Sequence, residues 1–525
     1  MRRLAFSLLL SAAALASPAR AQGGLTVPPR GEIERLEPWL ERERAGRERI
    51  DERSAPELRR AVADVRLAWA IEPLSWKRYA AVLLDLAGAT LRGHVRGVEE
   101  EQASPALEVR GLALDALAAH LGPVLSDWIA REVLPLASLP VERRLAALAL
   151  LEPRRIEPTK LALFSCARDP DPRVRVGALE CLVGWQDETV HVFFLETLER
   201  ARGAAPGPEH GLAERHFAEV TIAPQGRAIA RLGAFVAAGL SSTDWREASR
   251  AVQLSKPLGN GVVVPWLIEA LSAWKTRATI GAQSLRVRFE IHGALASRSG
   301  RSLGLEPEPW REWWKAVQQG EVRGVTATTT GGMLPEGTRA SFFGLRPQTD
   351  RVTFVIDRSR SMAEPFEALG TQARGRTRWK EATEQISAFV EALDDRARFG
   401  VVLFHDYAEV WRPRLATANE RELRAARDWL DQRPNGGTQL RSGVERALAI
   451  RDDGTVDLEV LECDTVIVLC DGATAEGPGW VRPFLERVQP LARVVFHCVQ
   501  IGAGGDGTLE QLASLTGGSF VRVEG

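Results

Sequence analysis

The chain is short of nearly everything that would make it a cross-linked, membrane-spanning or nucleic-acid-binding protein. Its 525 residues include five cysteines, Cys166, Cys181, Cys463, Cys470 and Cys498. A set so sparse and odd in number excludes a disulfide scaffold. The spacing leaves room for one pair, Cys166 with Cys181, on adjacent helices. No excess of charge of either sign is present, with 68 Lys and Arg against 69 Asp and Glu, so the electrostatic footprint of a nucleic-acid binder is missing. Beyond the first 21 residues no stretch is long and apolar enough to cross a bilayer. No Gly-x-Ser-x-Gly elbow occurs to present a nucleophile. His210 and His216 flank Glu214, but their spacing does not put both imidazoles on one helix face as a zinc protease requires. With no nucleophile or general base in a recognisable setting, the chain is expected not to be an enzyme.

What is present begins with an export signal. Arg2 and Arg3 precede the apolar run 4–16, and Ala19-Arg20-Ala21 gives a small-x-small cleavage site before Gln22. Residues 1–21 therefore read as a secretory signal peptide, which places the mature protein in the periplasm or outside the cell. Losing Arg2, Arg3 and Arg20 lowers the basic count from 68 to 65 against 69 acidic residues, a formal charge of −4. The length exceeds what one core serves, so two or more domains are expected.

Residues 22–304 are rich in Ala, Leu and Arg with helical periodicity, which predicts an all-α region. A spacing recurs within it. Arg110, Ala113 and Leu117 are followed by Arg143, Ala146 and Leu150 and then by Arg175, Ala178 and Leu182. A period near 33 residues marks helix pairs stacked as a solenoid. The run from Asp171-Pro172 to Ala178-Leu179 looks like a HEAT repeat, in which Asp-Pro opens the second helix. An irregular helical bundle is the competing reading. Residues 305–348 form a Trp-bearing helix and linker. Trp310, Trp313 and Trp314 share one helix face, which suits a cap on the helical region better than a platform for a sugar or a partner. Residues 340–345 are expected to be a strand entering the next domain.

From residue 349 the pattern changes to apolar strands alternating with amphipathic helices. Strands are expected at 352–356, 398–405, 466–470, 494–501 and 519–523, and helices at 378–393, 421–430, 440–451 and 509–515. Such alternation predicts a mostly parallel, doubly wound sheet of Rossmann-like α/β type. Two strands release acidic residues at their carboxyl ends, Asp357 and Asp471, and in open α/β sheets that edge is where ligands bind. Asp357-Arg358-Ser359-Arg360-Ser361, then Thr438 after Asn435-Gly436-Gly437, then Asp471 offer two carboxylates and three hydroxyls. Hard oxygen donors of this kind suit Mg²⁺, with Mn²⁺ as a substitute. A polar turn would account for the first cluster alone, but not for Thr438 and Asp471. The glycine run 502–507 matches a dinucleotide fingerprint, yet too little chain follows to complete a nucleotide-binding half.

This arrangement resembles the metal-ion-dependent adhesion site (MIDAS) of von Willebrand factor type A domains, whose pattern is Asp-x-Ser-x-Ser, a distant Thr and a later Asp. The resemblance covers residues 349–525 and, with the HEAT-like region, suggests a secreted bacterial protein. It implies metal binding by Asp357, Ser359, Ser361, Thr438 and Asp471, with a protein partner completing the shell through an Asp or Glu. Arg360 stands where the family commonly has Gly, and would either narrow access or pair with an acidic ligand. The function expected is therefore that of a binding or adhesion protein. An accessory or assembly subunit of an envelope enzyme complex, or a structural envelope protein whose metal site is vacant, are the other two readings. The partner and the oligomeric state are not legible.

Overall fold

A computed structural model describes residues 31–45, 50–89, 105–152, 154–200, 208–220, 224–279, 285–321, 340–366, 376–472 and 474–523. The expected signal peptide, residues 201–207 and much of the linker expected within 305–348 lie outside the described residues. The chain divides into two compact units. The first contains the helices Gly31–Arg44, Ala55–Ile71, Trp76–Ala89 and Pro105–Ala118. The second runs from His120 to the end and holds further helices and the whole sheet. Among the described residues no helix is long and apolar enough to cross a membrane.

The described residues up to 321 are helical throughout. Within the second unit, most helices from Val141 on pack on one neighbour in sequence and also on the next but one. Val141–Leu151 packs on Pro172–Leu182, which packs on Pro208–Glu219, and the series continues through Trp245–Leu254 to Leu285–Ser299. Glu188–Arg200, Gly226–Leu240, Asn260–Thr279 and Pro307–Gln318 form a second such row. Two rows are what amphipathic helices produce when none can bury its apolar face alone. The recurring small residue and leucine supply that face: Ala146, Leu150, Ala178 and Leu182 are all buried, and within the first unit Ala113 and Leu117 are buried likewise. Helix Pro172–Leu182 starts as its sequence dictates, with the Asp171 carboxylate accepting the Arg173 N–H at 2.9 Å and Pro172 in the first turn. Trp310 is fully buried and its indole N–H donates to the Gly304 carbonyl at 2.8 Å, while Trp313 and Trp314 are half-buried beside it.

The sheet has seven strands. They are β1 (Arg351–Asp357), β2 (Arg398–Phe404), β3 (Ala408–Val410), β4 (Ala416–Thr417), β5 (Thr465–Cys470), β6 (Val495–Ile501) and β7 (Phe520–Val523). Their order is β3-β2-β1-β5-β6-β7, with β4 also on β2. All pairings are parallel except those of β3 and β4, which return antiparallel beside β2. This is the doubly wound architecture the alternation predicts. Val352, Phe354 and Ile356 face a core shared with helices Arg378–Glu391 and Glu420–Leu430. Val355 faces the opposite core, with Leu440–Ala447, Val481–Ala492 and Thr508–Thr516. Burial on both faces explains why the central strands read as unbroken apolar runs.

Three local expectations differ from the structure. Residues 340–345 form no sheet strand; Phe342 and Leu345 bridge each other across a tight turn with φ of 48° at Phe343 and 84° at Gly344. That turn drops Ala340, Phe342 and Leu345 into the core instead. The helix expected over 440–451 ends at Ala447, because Ala449 takes a left-handed φ of 51° and turns the chain. Cys166 and Cys181 are free, their thiols reaching the Leu134 and Leu148 carbonyls rather than each other.

Candidate functional site

Strand β1 lies between β2 and β5, so successive connections leave it in opposite directions and open a crevice at its carboxyl end. Asp357 closes β1 there and is fully buried. Its Oδ1 accepts the Ser359 N–H at 2.7 Å, which draws the following turn over the strand end. Ser359 Oγ lies 3.0 Å from Ser361 Oγ, and the Ser361 hydroxyl donates to Asp471 Oδ1 at 2.8 Å. A chain of contacts thus runs from β1 to the residue just beyond β5. Thr438 joins Ser359 and Ser361 in lining a shallow cleft, together with Arg360, Glu364 and Gly436.

Thr438 is brought in by backbone geometry. Gly436 has φ of 78°, and a Cβ there would stand 2.7 Å from Asp406 Oδ2 and 2.9 Å from His405 Nδ1, so only glycine fits. Gly437 N–H donates to Asp406 Oδ1 at 2.8 Å, and Arg360 N–H to the Gly436 carbonyl at 3.3 Å. The Thr438 carbonyl accepts the Ala475 N–H at 3.0 Å, tying this loop to the segment after Asp471. Asp506 fixes that segment by accepting the Thr474 N–H at 2.9 Å and its hydroxyl at 2.8 Å. The glycine run therefore serves as a turn, with φ of 82° at Gly502 and 89° at Gly507, between β6 and the helix starting at Thr508.

The electrostatics are uneven. Burial pushes the Asp357 carboxyl up to about 6, against the lowering effect of the Ser359 hydrogen bond, and the nearby Asp471 charge pushes the same way. Among the described residues no Lys, Arg or His forms an ion pair with Asp357. Asp471 is different: Arg378 Nη1 stands 2.8 Å from its Oδ2. Arg378 carried no signal in the sequence beyond opening an amphipathic helix. Cys470 is a second surprise. Alternation within β5 sends its sulfur away from Asp471 and into the core. Yet Ile356 pairs with Leu469, so the next step of the register sets Cys470 opposite Asp357, and its thiol donates to Asp357 Oδ2 at 3.1 Å.

No cluster of three or more His, Cys, Asp or Glu is placed to hold a metal among the described residues. The donors are instead two carboxylates and three hydroxyls, and a buried carboxylate lacking a cation fits a small hard divalent ion.

Residues 351–521 match the von Willebrand factor type A domain family. The sheet domain is a von Willebrand factor type A domain. Two human proteins are similar over this part of the chain. Von Willebrand factor A domain-containing protein 3B is 27% identical over 191 residues, 36% of this chain and 13% of that protein. Inter-alpha-trypsin inhibitor heavy chain H4 is 26% identical over 186 residues, 34% of this chain and 19% of that protein. The match thus spans less than a fifth of either relative. Among solved structures, proximal thread matrix protein 1 from the mussel byssus is 20% identical, with a TM-score of 0.25 over 33% of this chain and 41% of that one. A further structure of that protein has a zinc-occupied MIDAS motif, at 21% identity and a TM-score of 0.24, with the same shares of the two chains covered.

Proposed function

We propose that the type A domain captures a partner protein through a divalent cation, Mg²⁺ or Mn²⁺, held by Asp357, Ser359, Ser361, Thr438 and Asp471. The observation that carries this reading is the Asp357 carboxylate, fully buried and without an ion-pair partner among the described residues, beside a cleft lined by three hydroxyl side chains. Burying an uncompensated charge costs several kcal/mol, and a cation at the cleft offsets that cost. When bound, the metal supplies an electrophilic position that an Asp or Glu carboxylate of the partner completes. Asp357 and Asp471 provide the charge, the hydroxyls of Ser359, Ser361 and Thr438 the neutral donors, and Arg360, exposed on the lip, meets the incoming acid.

The role is non-catalytic in this reading, and the chain acts outside the cytoplasm after export. The helical region, read as HEAT-like repeats because of its two stacked rows, is a scaffold. Arg286 donates to the Asp464 carbonyl at 2.6 Å and Arg246 to the Leu461 carbonyl at 2.7 Å, both near the amino end of β5. The helices thus hold the sheet edge opposite Asp357 and leave the cleft to a partner.

The test is thermal unfolding in Mn²⁺ and in chelator. An ion at a hundred times its Kd stabilises by about 2.7 kcal/mol. Asp357→Ala should abolish that gain, and immobilised protein should capture Asp-bearing but not Asn-bearing peptides. An equal gain in the substituted protein would sink the proposal.

A further inference from the structure

Arg378 is the first residue of helix Arg378–Glu391, where a positive side chain opposes the helix dipole. Its place is nevertheless fixed twice. Its N–H donates to the Glu364 carbonyl at 3.0 Å, and Nη1 reaches Asp471 Oδ2 at 2.8 Å, Glu364 Oε2 at 3.0 Å and the Ser361 carbonyl at 3.5 Å. The Asp471 side chain is 1% exposed and that of Arg378 15% exposed, so water screens their attraction little. Asp471 Oδ1 is taken by the Ser361 hydroxyl at 2.8 Å. Both oxygens of Asp471 are therefore engaged, and its charge is balanced from within the chain. Among the described residues Asp357 has no such cation.

We infer that Arg378 is a built-in counter-cation of the metal site: it competes with the divalent ion for Asp471 and keeps metal affinity low until a partner carboxylate adds its own negative charge. This deepens the function proposed above and rests on it. The physical content is charge counting. With Arg378 present, the Asp357, Asp471 and Arg378 set carries one net negative charge; without it, two. A divalent ion is repelled by a guanidinium one carboxylate away, and metal and partner acid would then bind more tightly together than either binds alone. Tethered to Glu364, itself 59% exposed, the guanidinium has a second carboxylate to retain it when the metal takes Asp471.

The experiment is calorimetric titration of Mn²⁺ into the full chain, without partner, for the natural protein, Arg378→Gln, Arg378→Lys and Asp357→Ala. Removing one positive charge this close should tighten Mn²⁺ binding on the order of tenfold in Arg378→Gln. Arg378→Lys, which keeps the charge, should stay within about threefold of the natural protein. Adding an acidic peptide should tighten Mn²⁺ binding in the natural protein more than in Arg378→Gln. Equal or weaker Mn²⁺ binding by Arg378→Gln, in a protein whose thermal unfolding in chelator is unchanged, overturns the inference while leaving the metal site standing. If Arg378→Gln melts early, the lysine variant decides, since loss of affinity there means that Arg378 only positions Asp471. Mn²⁺ binding that appears in Arg378→Gln alone supports the inference in its strongest form. Absence of Mn²⁺ binding from every variant overturns the proposed function along with it.

Discussion

Arg144 and Glu214 in the helical rows and Asp357 in the sheet domain are buried charges treated in opposite ways. The two in the rows are closed within the chain. Arg144, 4% exposed, donates to the Leu134 carbonyl at 2.9 Å and is ion-paired with Asp169. Glu214 is shared by Arg250 and Arg493, each at 2.6 Å, so that one carboxylate joins the helical rows to the type A domain. Packing there is close as well. Gly211 faces Pro490 so tightly that a Cβ would come within 2.5 Å of its ring. In the sheet domain, Asp357 is as deeply buried, but its partners are a backbone N–H and a thiol. A charge that is buried and paired holds a structure together, whereas one that is buried and unpaired is held by the structure for use.

The contrast breaks most severely at Glu214. Glu214→Ala takes the carboxylate from Arg493, 5% exposed, and one of two carboxylates from Arg250, 7% exposed, which keeps Glu247, and should cost about 3 kcal/mol in urea-induced unfolding. A loss under 1 kcal/mol would mean that the helical rows and the type A domain do not depend on this junction.

Acid provides the next largest effect. His216 is fully buried, stacks on Phe194 and accepts the Gly184 N–H at 3.1 Å, and burial, reinforced by His191 and Arg155, pushes it down to about 3. The folded protein therefore leaves His216 neutral between about 6.5 and about 3, where the unfolded chain takes up a proton. Stability from this group is present above 6.5 and is lost as pH falls toward 3. At pH 4.5 the loss should be about 2–3 kcal/mol relative to pH 7, and His216→Gln should flatten that part of the profile.

Asp357→Asn sharpens the comparison by reversing the sign. In chelator, neutralising an unpaired buried carboxylate should raise stability by about 1–3 kcal/mol while removing the response to Mn²⁺. A fall in stability would mean that Asp357 is structural, like Glu214. The smallest effect belongs to local structure: Asp171→Ala removes a helix cap and should cost about 1 kcal/mol in the same unfolding assay.

Much of this molecule was legible because the signals are local. Apolar runs ending in Asp357 and Asp471 identify parallel strands and their carboxyl edge, since side chains buried on both faces leave few residue types to choose from. Asp171-Pro172 announces a helix start for an equally local reason, the need to satisfy the first backbone N–H groups. Residues 340–345 misled because a short apolar run does not reveal the left-handed turn at Phe343 and Gly344 that folds it back. Alternation along β5 does not tell what the Cys470 thiol meets, because the register of β5 against β1 is a property of the pair and not of either strand.

By itself, then, the sequence determined the element types and the succession of an all-helical region and a mostly parallel α/β sheet, which depend on periodicity and on residues a few positions apart. Only tertiary structure decided which charges are closed and which are open. Arg378 meets Asp471 across 93 residues, Cys470 meets Asp357 across 113, and Glu214 meets Arg493 across 279. Contacts of that range leave no trace in local composition, because they are set by how strands register and helices pack once the chain has collapsed around its core.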